Sequence, residues 1–447
     1  MHNALHKTIA KTNNSRNSFV DTVNELVKTN ETPFYLFDEN VLRTKITKLK
    51  EVYSDFKGIS TIAFSMKSNF NPAIMKILNS EKVMFDLATL GELYFAKKSG
   101  INPSNMIYTS ISEELSEYKE ILESGINLVV VSSYNGYLNL ENAASSCSKK
   151  LKVMIRVNPE INVEAEIKAS YKYGKFGLPL DEYELDSAPK ILNKILESKN
   201  LEFEGFHFHL GSQITNPDCF VRALEKIEEL ITEIRKKNDD FTVNTIDIGG
   251  GTPVKYSKEV PTPENISEII LKKINSMVEG YGMPKRMIIE SGRYIVAESG
   301  TLISKVVNVK FREERKFIFV DSGFHLLLDS ALVKQEYPIE IISEENNQND
   351  KNITVIAGIL CDTDDTFSAS NDSDLSNATK DTIVIFKNAG AYSTVFNMPF
   401  HCQIKPSIFL KKINGETIII REKQNNKDLF EEEGGLLIQD DIKWIMN

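Results

Sequence analysis

The chain has 447 residues, too many for one ordinary core, so two domains are expected. Hydrophobic residues make up 41% and charged residues 26%, the balance of a soluble globular protein, and a net charge of −10 with no basic stripe argues against nucleic-acid binding. No run approaches the roughly 18 apolar residues of a membrane span, so no membrane association is expected. The cysteines Cys147, Cys219, Cys361 and Cys402 lie far apart with no CxxC pair, which reads as reduced thiols of a cytoplasmic protein, not a disulfide framework or zinc site.

Residues 1–31 are polar, lack the apolar core of a signal peptide and read as a leader. Thr32–Asp38 then reads as a short strand and Glu39–Phe56 as an amphipathic helix. From there strand-like apolar segments recur at 61–65, 82–87, 106–109, 127–131, 152–157, 203–209, 243–248 and 286–290. Helical patterns such as Glu113–Ser124 and Phe220–Lys237 separate most of them, and crossovers of that length imply parallel pairing. Eight such units over residues 61–290 suit a closed (β/α)8 barrel, typically about 250 residues, better than an open doubly wound sheet. The expected barrel domain is 32–298. Beyond it, short β segments at 301–309, 316–321, 353–360, 382–387, 408–411 and 417–421 predict a mostly-β domain over 299–447. Polar stretches at 343–352 and 368–380 read as surface insertions.

Barrel chemistry gathers at the carboxyl ends of the strands. The first strand runs into Lys67, followed by a polar turn in which Asn69 or Asn71 can cap the helix that opens at Pro72. The second carries Asp86, the fifth Arg156, and the sixth ends in His207-Phe-His209-Leu-Gly-Ser212. Gly249, Gly250 and Gly251 follow the seventh, and Glu290-Ser291-Gly292-Arg293 the eighth. A triple glycine is either a flexible turn or a phosphate nest of bare backbone N–H groups, and it falls, with Gly292 and Arg293, in the loops where barrels often bind phosphate. Ser212 can add a hydroxyl donor. His207 and His209 share one face; a metal would need a third ligand that the strand ends do not obviously offer, and a histidine lying against an aromatic cofactor fits better. Glu290 ends an apolar strand and needs a cationic partner, either Arg293 or a protonated ring nitrogen. Amine, phosphate nest, flat histidine and buried glutamate together describe a pocket for pyridoxal 5′-phosphate. Lys67 forms the Schiff base, and Glu290 keeps the pyridine ring protonated as an electron sink.

The segments Phe64-Ser-Met-Lys67-Ser-Asn69, Phe85-Asp86, Gly91-Glu92-Leu93, Arg156-Val-Asn-Pro159, Lys175-Phe-Gly177, His207–Gln213, Gly249–Gly251 and Glu290–Arg293 resemble the diaminopimelate/ornithine decarboxylases, pyridoxal phosphate enzymes of the alanine-racemase-like fold. Val320–Gly323, Cys361-Asp362 and Gly390-Ala391-Tyr392 extend the resemblance into the β domain, so that it covers residues 32–410 in order. It implies a decarboxylase with the quinonoid stabilised by Glu290 and His209 stacked on the ring. Gly249–Gly251, Arg293 and Tyr392 would hold phosphate or a substrate carboxylate. Cys361 would reprotonate the α-carbon across a homodimer interface, with Asp362 beside it toward the substrate.

Several positions depart from the family pattern. The Arg-Pro-Ala-Leu-Tyr segment usual in diaminopimelate decarboxylases is replaced by Leu328-Asp-Ser-Ala-Leu-Val333, and the usual Cys-Glu pair is Cys361-Asp362, as in ornithine decarboxylases. Ser291 stands for a proline, and Phe400-His401 for a phenylalanine-asparagine pair. The acidic run Asp362, Asp364 and Asp365 suggests a substrate with a distal amine, of the lysine or ornithine type. A conjugated or carrier-linked amino acid is one alternative substrate. A racemase of the same fold is another reading, which Glu290 at the ring nitrogen disfavours, and a small cofactor-binding homeostasis protein is a third, which the β domain disfavours.

Overall fold

In the computed structural model, the described residues are 19–146, 150–184, 186–342, 353–370 and 373–434; Cys147, the polar stretch 343–352 and most of the leader lie outside them. The chain divides into two compact units, residues 40–298 and residues 1–39 with 299–447.

The first unit is the barrel. Its strands are β1 (Ile59–Ser65), β2 (Met84–Leu87), β3 (Met106–Tyr108), β4 (Leu128–Val131), β5 (Leu151–Asn158), β6 (Leu201–His207), β7 (Thr245–Asp247) and β8 (Arg286–Glu290). Each pairs in parallel with the next, and β8 pairs with β1 to close the ring. Ala63, Ile107, Leu128, Val130, Met154 and Ile288 fill the interior as one buried cluster, so the barrel is a packed core and not a pore. All eight strands fall where the apolar runs predict them. An antiparallel pair, Ala165–Lys168 with Gly211–Ile214, is added beyond the ends of β5 and β6.

Local chemistry fixes the strand-to-helix turns that matter for the site. After β1 a single 3-10 turn, Met66–Ser68, carries Lys67, and Ser68 Oγ donates to Ser65 O at 2.8 Å. Asn71, of the two candidates, is the N-cap of helix Pro72–Ser80: its Oδ1 accepts the Ala73 N–H at 2.9 Å, with Pro72 in the first turn.

The second unit is mostly β. Its main sheet runs from Thr366–Ser370 through Ile353–Ala357, Arg315–Val320, Gly300–Arg312, Phe34–Asp38 and Ile408–Lys411 to Thr417–Arg421, with Ile383–Phe386 paired to Gly300–Arg312 and Ile339–Ile342 paired in turn to Ile383–Phe386. Three expectations are corrected here. Phe34–Asp38 does not belong with the barrel: it pairs antiparallel with Gly300–Arg312 and parallel with Ile408–Lys411. Nor is the segment before it only a polar leader. Residues 19–29 are helical, and Val23, fully buried, joins Phe34, Leu36, Ile303, Ile385 and Phe409 in the core of this unit, with Phe19, Leu26 and Val27 packed against it. The supposed insertion at 368–380 in part continues a strand, Thr366–Ser370, and in part forms a short helix, Ser373–Ser376.

Candidate active site

The strand ends of the barrel bring most of the nominated residues together. Lys67 is exposed on its turn. Asp86 lies opposite Ser65 in the β1–β2 register and Arg156 opposite His207 in the β5–β6 register, and both side chains are buried. Burial, and then the Glu290 charge, push the Asp86 carboxyl up to about 7, with Lys67 opposing. Burial draws Arg156 below its ordinary value against the pull of Glu290, Asp86 and Asp247, and its guanidinium lies 4.7 Å over the Phe176 ring.

Glu290 is 3% exposed and His207 1%, with His207 Nε2 3.2 Å from Glu290 Oε1. The approach is close, but its alignment is poor for a hydrogen bond, and neither atom has another hydrogen-bond partner. Burial alone would raise the Glu290 carboxyl; the His207 ring and the nearby Lys67 outweigh it and hold the group well below the usual carboxylate range. Asp247, fully buried, is pushed well above its ordinary value by burial and then by Glu290. The ligand atoms of His207, Asp247 and Glu290 lie within 4.8 Å of one another, so the third group that a metal site would need does exist. Two cations, Arg156 and Lys67, act on the same carboxylates, which makes the cluster an internal charge network.

His209 is only partly accessible, and burial, with Lys67 adding to it, depresses its ring to about 3. Its Nδ1 accepts the Gly250 N–H at 3.0 Å, so a neutral ring carries its proton on Nε2. The triple glycine is therefore not simply an open nest. Gly249 N–H donates to Asp247 Oδ1 at 2.9 Å, and the first two N–H groups are held inside the protein. The residues must nevertheless be glycine: Gly249 and Gly251 have φ of +67° and +123°, and a Cβ at Gly250 would come within 2.9 Å of Glu290 O. Arg293, 5% exposed, donates from Nε to Ser212 Oγ at 3.4 Å and from Nη1 to the Tyr256 hydroxyl at 3.2 Å. So Arg293 faces hydroxyls, not Glu290. Ser291 is buried with its Oγ unbonded, and Gly292 packs so close to Ser68 that a Cβ would strike its Oγ at 2.7 Å.

Sequence reasoning named neither Asp247 nor Tyr256 as site residues, and gave His207 no role of its own. The strand order that sets β6, β7 and β8 side by side is the signal that finds Asp247 and His207; Tyr256 lies in irregular chain and leaves none.

The remaining candidates lie in the β unit. Cys361 is exposed, and its backbone N–H donates to His401 Nδ1 at 3.5 Å. Tyr392 has φ of 58° and stacks on Phe396 with centroids 6.3 Å apart. The acidic run does not act as one patch. Asp365 is 2% exposed and accepts from Phe324 N–H and Leu360 N–H, Asp364 pairs with Lys334, and Asp362 is exposed, accepting the Asp364 N–H.

The barrel residues suit a pyridoxal phosphate group: an accessible amine, a buried ionised carboxylate with one oxygen unbonded, and an arginine among hydroxyls beside glycines that admit no Cβ. A parallel eight-stranded barrel with a mostly-β unit in the same chain, bearing such groups at its strand ends, is the make-up of a pyridoxal phosphate-dependent enzyme. Comparison narrows the class: the chain belongs to the pyridoxal-dependent decarboxylases, whose pyridoxal-binding domain matches residues 42–297. It is 29% identical over 409 residues to diaminopimelate decarboxylase of Aquifex aeolicus, covering 90% of this chain and 92% of that protein. The crystal structure of diaminopimelate decarboxylase from Helicobacter pylori complexed with L-lysine matches with a TM-score of 0.81 at 25% identity, covering 92% of this chain and 99% of that one. Lysine/ornithine decarboxylase from Vibrio vulnificus, complexed with putrescine, shares the fold with a TM-score of 0.72 at 22% identity, over 89% of this chain and 98% of that one. Among the described residues no helix is long and apolar enough to cross a membrane.

Proposed function

We propose that this chain decarboxylates an amino acid of the diaminopimelate, lysine or ornithine type, with Lys67 binding the cofactor's carbonyl carbon and Glu290 holding the proton on its ring nitrogen. The single observation that carries the assignment of Glu290 is its carboxylate buried at the carboxyl end of β8 and held ionised there by its surroundings. Such a group is costly unless a donor meets it. When bound, the cofactor supplies a protonated ring that accepts the electron pair left as the substrate's carboxylate departs. Arg293, Ser212, Gly250 and Gly251 would hold its phosphate, the Gly250 N–H being the one that now meets His209 Nδ1, and the resemblance implies the same role for Tyr392. Asp86 and Arg156 keep the charge around Lys67 and Glu290 balanced. Cys361 Sγ returns a proton to the α-carbon after carbon dioxide leaves. It does so in trans, in a cytoplasmic homodimer whose copies complete each other's sites.

Meso-diaminopimelate is the first substrate reading, supported by relatives of that name over nine-tenths of the chain. An amine-ended substrate is the second. It is favoured by the absence of an arginine in 328–333 and by the exposed carboxylate of Asp362 next to Cys361, although Asp364 and Asp365 no longer support it. Carbon dioxide release from meso-diaminopimelate, lysine and ornithine in parallel separates the two. Turnover of diaminopimelate with lysine inert supports the first, the reverse supports the second, and release from none of the three counts against both.

A further inference from the structure

Three neighbouring strands carry polar groups at one level of the barrel. The β6–β7 register sets His207 opposite Asp247, and the β7–β8 register sets Asp247 opposite Ile288, two residues before Glu290. Gly249 ties the last two together: its N–H donates to Asp247 Oδ1 and its carbonyl accepts the Glu290 N–H at 2.9 Å. All three side chains are buried. Glu290 Oε1, both nitrogens of His207 and Asp247 Oδ2 lack well-formed hydrogen bonds, although His207 Nε2 stands 3.2 Å from Glu290 Oε1. Leaving such groups unpaired costs about 1–3 kcal/mol each, and a fold that keeps several together at one strand end keeps them for a use.

We propose that His207 is a positioning residue for Glu290: its neutral ring donates Nε2–H to Oε1, fixing the carboxylate and leaving its other oxygen to the cofactor's ring nitrogen. The inference rests on the role given to Glu290 above. It also explains why two histidines stand at the end of the sixth strand. His209 lies toward the cofactor, while His207 lies one pleat deeper and acts only through Glu290. Burial pulls the His207 ring below its ordinary value against the pull of Glu290, with Arg156 and Lys67 reinforcing burial, so the ring is a neutral donor rather than a second cation. Burial, and then the Glu290 charge, raise Asp247 well above its ordinary value, which weakens it as a competing anion.

The test compares H207Q, H207N, E290Q and the H207Q/E290Q double variant as holoenzymes, with the dissociation constant of the cofactor as a second readout. H207Q is expected to lower kcat roughly ten- to a hundredfold, the worth of one hydrogen bond to a charged group, with KM changed less. It should weaken cofactor binding no more than E290Q does and shift the absorption band of the bound cofactor, whereas in the E290Q background it should add no more than about twofold, because it acts through Glu290. An impaired E290Q with a silent H207Q, or losses that multiply in the double variant, overturns the positioning role alone. A silent E290Q overturns instead the reading of Glu290 on which it rests. Should the His207 variants not fold, nitrogen-15 spectra of the histidine-labelled wild-type holoenzyme decide: a neutral His207 protonated on Nε2 supports the role, and a ring protonated only on Nδ1 overturns it.

Discussion

The polar groups at the barrel's strand ends and those of the acidic loop in the β unit obey opposite economies. In the barrel, Asp86, His207, Asp247, Glu290 and Ser291 are all buried, and each keeps at least one polar atom without a hydrogen bond. In the β unit, the buried carboxylate of the loop, Asp365, is saturated by two backbone N–H groups, and the exposed Asp364 by Lys334. Folding alone explains the loop, because each of those bonds holds chain to chain. It does not explain the barrel cluster, which costs stability unless a ligand meets it. The cofactor roles proposed for the barrel residues rest on this physical argument, and the role proposed for Cys361 rests on resemblance.

That contrast can be broken at several points. The largest effect is expected for Lys67→Ala, which should abolish both turnover and the visible absorbance of the bound cofactor; an absorbing, active variant would remove the centre from the account. Next, Glu290→Gln should lower kcat by two or three powers of ten, about 1.4 kcal/mol of barrier each, while cofactor content falls little. The resemblance-based half is probed by Cys361→Ala, inactive alone. Mixed with Lys67→Ala it should regain activity through hybrid dimers, and no recovery despite demonstrated subunit exchange would confine each site to one chain.

Smaller effects concern stability. Asp86 is raised to about 7 in the fold from an ordinary 3.8, so between those values the folded state holds a proton that the unfolded chain has lost. The cofactor-free protein should therefore lose stability as pH rises through that window, by up to a few kcal/mol, and Asp86→Asn should flatten the slope. Denaturant midpoints across the window measure it, and an unchanged slope in the variant would assign the burden to Asp247 instead. Asp365→Asn leaves one of the loop's N–H donors facing an amide nitrogen and should cost about 1–3 kcal/mol, read as a lower Tm.

The barrel was legible because each strand is a short buried apolar run bounded by a crossover, a local signal. What was missed is non-local or marginal. Phe34–Asp38 reads correctly as a strand, but its neighbours in the sheet begin at Gly300 and Ile408, a pairing no periodicity reveals. Helix 19–29 did leave a trace, Phe19, Val23, Leu26 and Val27 on one helical face, diluted by the polar residues around it. Lys67, His209, Glu290 and Arg293 stand out as unusual residues at strand ends. The contact of His207 with Glu290 depends on the order β6, β7, β8 and on its register. The split of Asp362, Asp364 and Asp365 among three environments depends on backbone donors 41 residues away at Phe324 and on Lys334. Composition predicts an acidic patch there; tertiary hydrogen bonding dissolves it.

The most direct test of the central claim is to reduce the holoenzyme with borohydride, digest it and locate the cofactor by mass spectrometry. A single modified peptide is expected, containing Lys67, with a yield that matches the cofactor content. A cofactor trapped on any other lysine, or equal labelling of the Lys67→Ala protein, would contradict the claim.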